Sequence, residues 1–185
     1  MSATLVEYTE MHERIPERFH AEQAAVEALI RKAFQGVTRE GGVSWSESVV
    51  IDGDGSGRTE AQARAEDTER SWEELVDDPN WIDESGMGGF NFLDPIGYRY
   101  YIAPAMIRSA RTSFGENTGF ALTIDGNFKE ELQSLISPAQ AHAIARFLRL
   151  MIAIQLALHE RGNAYQWVLA YRLHWYKWDR GGTLL

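Results

Sequence analysis

The segment from Gly89 to Arg111, GFNFLDPIGYRYYIAPAMIRSAR, constrains the fold more than any other part of the chain. Asp94 followed by Pro95 predicts a helix start, because aspartate accepts a first-turn backbone N–H and proline suits the first helical position. Pro104 removes one N–H from the helix ladder, so we expect a kink or a break in the turn before it. One continuous helical face follows the cap, made of Tyr98, Tyr101, Ile102, Ala105, Met106 and Ser109.

A helix with this much aromatic surface belongs in the core, and we predict that the other helices pack around it. The residues predicted to form the structural core are Trp72, Phe92, Tyr98, Pro104 and Met106. The alternative is a pocket lined by the tyrosines, in which Arg99 holds an anionic ligand. Arg99 also has a structural alternative, an internal bond to Asp94 or to a helix-end carbonyl. The candidate ligand-binding residues are Asp94, Arg99, Tyr100 and Tyr101.

Length and composition favour a single, mainly helical domain. The 185 residues are 44% hydrophobic and include six Trp, seven Tyr and eight Phe, which supports a sizeable core and excludes a largely disordered chain. We predict a mainly α fold of about four to five helices around the central aromatic helix, with a minor β or extended element; an α+β fold is the alternative. Residues 1–15 are predicted to be an N-terminal arm and residues 16–185 a single globular helical domain.

Two helices are predicted in the N-terminal half from capping residues and periodicity. The first begins at Pro16 and ends at Gly36, where a glycine has its usual C-terminal position. The second covers residues 59–78 and is anchored in the core by Trp72. Its predicted apolar stripe is Ala61, Ala65, Thr68, Trp72 and Leu75.

Residues 37–58 are predicted to be an acidic connecting loop. Within it, Val43, Trp45 and residues 49–51 either form a short strand or pin the loop to the core. A calcium-loop template fails at position 12, where Ala63 replaces the bidentate glutamate. An acidic loop without a metal is therefore the preferred interpretation. The residues that do fit the template are Asp52, Asp54, Ser56 and Gly57.

The C-terminal half contains one predicted strand and two predicted helices. Residues 120–124 alternate apolar side chains with Ala and Thr, which favours a short strand or an extended edge. The capping box from Ser137 to Gln140 begins a helix that should run to about Arg161, before the Gly-Asn pair that follows it. Residues 164–178 fit a strand period and a helix period equally well. We predict a helix, because a tight turn after a long helix favours an antiparallel helical neighbour.

Charge is distributed unevenly along the chain. The net charge is −9, and residues 40–94 alone hold 15 Asp and Glu against three Arg, a net charge of −12. Nucleic-acid binding requires clustered Lys and Arg, so this composition argues against a nucleic-acid partner. The acidic segment is compatible with a basic protein partner, because complementary charge speeds encounter. The simpler alternative is an acidic loop that only increases solubility.

The chain lacks signatures of export, membrane insertion and common catalytic chemistry. Its N-terminus has no signal-peptide pattern, and the apolar segment 144–158 is interrupted by charges and too short to span a bilayer. It has no Cys, and it contains no phosphate loop, dinucleotide fingerprint, nucleophile elbow or HExxH motif. We therefore predict a cytoplasmic protein with no membrane partner, cofactor, metal site or assigned catalytic residue. An enzyme is the less favoured class, and the oligomeric state stays open.

Four segments together resemble a bacterial family of small uncharacterised proteins with an FLDxxGxRFxLPAxM-like central motif. The segments are GVTREGGVSWSES, EDTERSWEEL, FNFLDPIGYRYYIAPAMI and SPAQAHAIARFL. The resemblance covers about residues 24–150 and implies no catalytic residue, because the family has no established activity. Ile102 stands where leucine is usual. The residues that carry the central motif are Phe92, Leu93, Asp94, Gly97, Arg99, Tyr100, Pro104, Ala105 and Met106.

Two functions are consistent with these observations. The first is a protein-partner-binding module with an acidic surface, which would neutralise a basic partner as bacterial immunity proteins do. The second is a small-molecule-binding domain or small enzyme with a pocket near Asp94–Tyr101. The acidic segment and the missing catalytic motifs favour the first.

Overall fold

The computed structural model describes residues 15–53, 57–81, 88–123, 128–158 and 161–179. Over these ranges the chain forms nine α-helices and no strand. The mainly helical fold is confirmed, the minor β element is not seen in these ranges, and the helices outnumber the four to five expected. They are α1 (His20–Ala33), α2 (Trp45–Ile51), α3 (Glu60–Glu66), α4 (Trp72–Val76), α5 (Pro95–Thr112), α6 (Glu116–Ala121), α7 (Phe128–Leu135), α8 (Pro138–Ala157) and α9 (Arg161–Ala170).

The centre of the fold is α5, which contacts α1, α4, α6, α7 and α8. Nearly all of its residues from Gly97 to Thr112 are buried, so the predicted interior position of this helix is confirmed. The expected break is wrong, because α5 continues through Pro104 without interruption. Proline removes a single N–H, and the packing of five neighbouring helices holds the remaining turns in place.

Most of the predicted core residues lie in one continuous hydrophobic cluster. Trp72 and Met106 are fully buried, and the indole N–H of Trp72 donates to the Phe34 carbonyl at 3.0 Å. Tyr98 and Pro104 are buried within α5. Phe92 is only half-buried, because it lies in the 3-10 turn before α5, where Leu93 faces the core instead.

The long helix α8 forms the second layer and packs against α1, α5 and α9. Its predicted capping box is confirmed: Ser137 Oγ accepts from the Gln140 N–H at 3.2 Å, and Gln140 Oε1 accepts from the Ser137 N–H at 2.9 Å. The helix ends at Ala157, earlier than the Arg161 expected. Gly162 therefore does not stop α8 but lies in the first turn of α9.

The C-terminal segment is helical, as predicted from its position after a long helix. After α9 the backbone continues as a π-helical turn, Tyr171–Trp175, and a 3-10 turn, Tyr176–Trp178. We call these two the C-terminal turns. Trp167 and Trp175 are buried and Trp178 is half-buried, whereas Tyr176 is 59% exposed.

Neither of the two segments considered as strands forms one where the structure describes it. Residues 45–51 form α2, because Ser44 and Glu47 make a reciprocal capping box that starts a helix. Most of residues 120–124 belongs to α6 and its C-cap at Leu122. Ile124 lies outside the described residues. An alternating pattern of only three apolar residues is too short to distinguish a strand from a helical turn.

The single helix predicted over residues 59–78 is divided into α3 and α4. The interruption is at Asp67, whose carboxylate accepts from the Ser46 N–H at 2.8 Å and from the Ser46 hydroxyl at 2.7 Å. Arg39 donates to the Asp67 carbonyl at 3.0 Å. These bonds to a distant segment take the place of the backbone hydrogen bonds that would continue the helix from α3 into α4. The predicted stripe is therefore wrong at Ala61, Ala65 and Thr68, which are exposed.

At the N-terminal end, the predicted helix after Pro16 begins as a 3-10 turn, Glu17–Phe19, and continues as α1. Gly36 has a φ of +74°, the left-handed conformation that a helix-ending glycine provides. Residues 1–14 of the predicted arm lie outside the described residues, and Ile15 is buried in the core. None of the helices in the described ranges has the length and apolar content needed to cross a membrane.

Candidate functional site

Asp94 has a structural role at the start of α5. Its Oδ1 atom accepts from the Gly97 N–H at 2.8 Å, which confirms the predicted N-cap. The same oxygen accepts from the Val43 N–H at 2.8 Å, so the cap also ties the loop before α2 to α5. One carboxylate oxygen therefore satisfies two backbone donors that would otherwise lack partners.

Tyr101 lies at the centre of a buried polar network. Its hydroxyl donates to Glu69 Oε1 at 3.0 Å and accepts from the Trp45 N–H at 3.0 Å. Glu69 in turn pairs with Arg39 at 3.1 Å. Burial, followed by the charges of Glu69 and Asp67, raises the pKa of Tyr101 well above its ordinary value. The hydroxyl therefore stays protonated and acts as a fixed donor between two segments of the fold.

Two structural roles were predicted for Arg99, a bond to Asp94 or a bond to a helix-end carbonyl. The structure shows the bond to a helix-end carbonyl. Its guanidinium Nη1 donates to the Leu135 carbonyl at 3.1 Å, at the C-terminus of α7. A cation at this end of a helix also complements the helix dipole. Arg99 thus holds α7 against α5.

Tyr100 differs from the other three candidate residues. It is 2% exposed, and its hydroxyl makes no hydrogen bond to any residue in the described ranges. Burial raises the pKa of Tyr100, and the charge of Glu69 raises it further. The charge of Arg39 opposes this effect, and those of Glu73 and Glu74 add smaller increases. We call Tyr100 with these three carboxylates the acidic patch.

The four candidate ligand-binding residues thus lie near the start of α5. None of them lines a cleft found among the described residues. The polar groups of Asp94 and Tyr101 are bonded internally, as is one arm of the Arg99 guanidinium. Ligand binding by these residues stays a prediction. A ring of aromatic contacts surrounds Tyr101 instead, with Trp45 at 5.2 Å between ring centroids and Trp81 at 6.2 Å.

A cleft of about 160 Å³ lies elsewhere, between α7 and the C-terminal turns. No sequence pattern predicted this cleft, and four of its lining residues lie within residues 164–178. Two indoles and three aliphatic side chains make most of the lining, and Gln133, His174 and Lys177 add the polar groups. The lining residues are Leu132, Gln133, Ile136, Ala141, His174, Trp175, Lys177 and Trp178.

Hydrogen bonds to the rest of the fold hold the C-terminal turns in place. The Trp175 indole N–H donates to the Leu122 carbonyl at 2.9 Å, and His142 Nδ1 donates to the Trp178 carbonyl at 2.9 Å. Tyr171 donates to Asp179 Oδ2 at 2.8 Å. Burial and the bond to Asp179 raise the pKa of Tyr171 to about 12, so the phenol remains a donor.

The calcium-loop resemblance gains no support from the described residues. Asp52 is the C-cap of α2, and its Oδ2 atom accepts from the Gly88 N–H at 2.8 Å. Asp54 lies outside the described residues. No group of three or more His, Asp or Glu side chains in the described ranges is arranged to hold a metal ion.

The fold and these sites define a mainly helical protein with one aromatic core, an acidic patch and a small apolar cleft. A sequence-family profile described as "Family of unknown function (DUF6714)" matches residues 22–177. The chain therefore belongs to this family. Membership agrees with the resemblance to an uncharacterised family and assigns no activity. No curated protein and no solved structure matches the chain.

Proposed function

We propose that this protein binds a basic protein partner in the cytoplasm through the acidic patch around Tyr100. The observation that carries the proposal is the group of carboxylates within electrostatic range of Tyr100, in which Glu73 is half-buried and Glu74 is exposed. A lysine ammonium or an arginine guanidinium supplies the donors that carboxylates can accept.

The surrounding charge favours the same class of partner. Residues 40–94 carry a net charge of −12, and this segment includes every carboxylate of the acidic patch. Charge complementarity steers diffusional encounter and excludes partners of like charge. A protein with this surface would act by occupying and neutralising a basic site on its partner, as immunity proteins do.

Glu73 and Glu74 are the residues to change in a test. Glu69 is unsuitable, because it is bonded to Tyr101 and Arg39 inside the fold. Glu74 pairs with Arg70, whose side chain is 90% exposed, so this pair contributes little to stability. Glu130 and Glu131 on α7 are exposed and offer a control with the same loss of charge.

The experiment is a pull-down with the full chain from a lysate of the cells that produce it, at about 50 mM and about 500 mM salt. We expect a basic protein that is captured at low salt and released at high salt. The Glu73→Gln/Glu74→Gln variant should lose this protein, whereas the Glu130→Gln/Glu131→Gln variant should retain it. Equal capture by both variants, or no salt-sensitive basic protein, would overturn the proposal.

The alternative, a small-molecule-binding or small enzyme site at Asp94–Tyr101, has less support. The contacts described above use the polar groups of Asp94 and Tyr101 and one arm of the Arg99 guanidinium within the fold. A thermal-shift screen with anionic metabolites tests it. A metabolite that raises the melting temperature of the unmodified chain but not that of Arg99→Ala would favour this alternative.

A further inference from the structure

The cleft between α7 and the C-terminal turns has the dimensions of a small-ligand site. Its volume of about 160 Å³ is close to that of an engineered apolar protein cavity, about 150 Å³, that takes up a benzene molecule. One aromatic ring with a short substituent therefore fits, and a larger ligand would extend into solvent. The volume alone selects the size of the ligand and not its chemistry.

The chemistry of the lining selects an aromatic ring. Leu132 and Ile136, from α7 and the residue after it, line the cleft together with Trp175 and Trp178 from the C-terminal turns. Aromatic rings pack on indoles edge-to-face or with offset stacking, which adds to the free energy of apolar burial. The aliphatic side chains of the lining add apolar surface and carry no group that competes for hydrogen bonds.

The polar groups of the lining select an anionic substituent. The ammonium group of Lys177 lies 5.9 Å from the centre of the Trp178 ring, and Lys177 is exposed. A ligand whose ring lies between the indoles and the α7 side chains can direct a carboxylate to this ammonium group. Every ionisable side chain in the described lining is a Lys or a His, so the lining itself contains no carboxylate that would repel an anion.

Both walls of the cleft are held by bonds to other parts of the fold. Arg99 fixes the C-terminus of α7 through the Leu135 carbonyl. His142 and Leu122 fix the C-terminal turns through Trp178 and Trp175. A preformed site of this kind loses little conformational freedom on binding. π-helical turns such as Tyr171–Trp175 are also frequent at functional sites.

We propose that this cleft binds a small aromatic carboxylate, with the ring between the indoles and α7 and the carboxylate at Lys177. The site shares no residue with the acidic patch, so the proposal does not depend on the proposed function. For a ligand of about nine heavy atoms, we expect a dissociation constant on the order of 0.1–10 mM.

The experiment is an NMR titration of the ¹⁵N-labelled full chain, observing the indole N–H signals of Trp175 and Trp178. The probes are benzoate, benzyl alcohol and acetate, which separate the contribution of the ring from that of the charge. We expect benzoate to shift both indole signals in a saturable manner. Benzyl alcohol should shift them with lower affinity, and acetate should leave them unchanged at the same concentration.

The Lys177→Gln variant tests the anionic contact. Lys177 is exposed, so the substitution should leave the fold intact. It should weaken benzoate binding roughly threefold, the effect of one exposed ion pair, and leave benzyl alcohol binding unchanged. Lys32→Gln, an exposed lysine on α1, is the control and should change neither. The proposal is overturned if benzoate shifts neither indole signal, if acetate acts like benzoate, or if Lys177→Gln leaves benzoate affinity unchanged.

Discussion

Asp94 Oδ1 accepts the Val43 N–H at 2.8 Å, a hydrogen bond between residues 51 positions apart in the chain. The same atom caps α5 through Gly97, so the helix start and the docking of the preceding loop depend on one oxygen. The backbones approach closely here: a Cβ added at Gly42 would lie 2.7 Å from the Gly97 nitrogen. The local geometry of a helix cap is thereby used to assemble the tertiary structure.

Asp94→Ala should lower the free energy of unfolding by about 1–3 kcal/mol, because two backbone donors lose their acceptor. Asp94→Asn retains a side-chain oxygen and should cost less. Urea denaturation followed by circular dichroism measures both changes. Glu40→Ala, at an exposed position, is the control. If Asp94→Ala and Glu40→Ala have the same stability, Asp94 does not have the structural role described.

Gly97→Ala should destabilise the protein, the opposite of the usual effect of this change in a helix. Alanine ordinarily gains about 1 kcal/mol over glycine in a helix interior. Here the added Cβ would clash with the Val43 carbonyl oxygen and lie 3.1 Å from Asp94 Oδ1, so we expect a loss of about 1–3 kcal/mol. Gly119→Ala, with nearest contacts of 3.3 Å, should cost less in the same denaturation experiment. A stabilised Gly97→Ala variant would contradict the packing.

Tyr101→Phe and Tyr100→Phe form a matched pair at adjacent positions. Removal of the Tyr101 hydroxyl leaves the Trp45 N–H and the buried Glu69 carboxylate each without one partner, so we expect a loss of about 1–3 kcal/mol. The Tyr100 hydroxyl makes no hydrogen bond in the described ranges, so Tyr100→Phe should change the free energy of unfolding by less than about 0.5 kcal/mol. Thermal and chemical denaturation of both variants should agree. Equal losses in the two would argue against the Tyr101 network.

Glu27 should make the stability of the protein depend on pH in the acid range. Burial alone would raise the pKa of Glu27, but hydrogen bonds from Arg111 and Arg31 hold it below the ordinary value of 4.5. Because the pKa is lower in the folded state, the stabilisation is complete above pH 4.5 and is lost as the pH falls through the folded-state pKa.

The corresponding variant is Glu27→Gln, and Glu40→Gln at an exposed position is its control with the same loss of charge. Glu27→Gln should be less stable than the unmodified chain at neutral pH, and the difference should shrink as the pH falls below 4.5. Denaturant midpoints at several pH values measure this difference. A difference that stays constant down to acid pH would show that the loss comes from packing and not from the charge of Glu27.

Local sequence patterns determined the elements whose signals lie within one helical turn. The Asp94 cap, the Ser137–Gln140 capping box and the Gly36 terminus were predicted correctly, because each depends on residues at most four positions apart. The buried face of α5 was also predicted, since a 3.6-residue period of aromatic side chains specifies burial without reference to any partner.

Only the tertiary structure decided the features that depend on contacts between distant segments. Asp67 divides a good helical sequence because Ser46 and Arg39 bond to it, and Arg99 caps α7 from 36 positions away. The cleft likewise forms only where α7 meets the C-terminal turns. Periodicity reports how one segment divides its side chains between core and solvent, whereas these bonds exist only after separate helices have packed together.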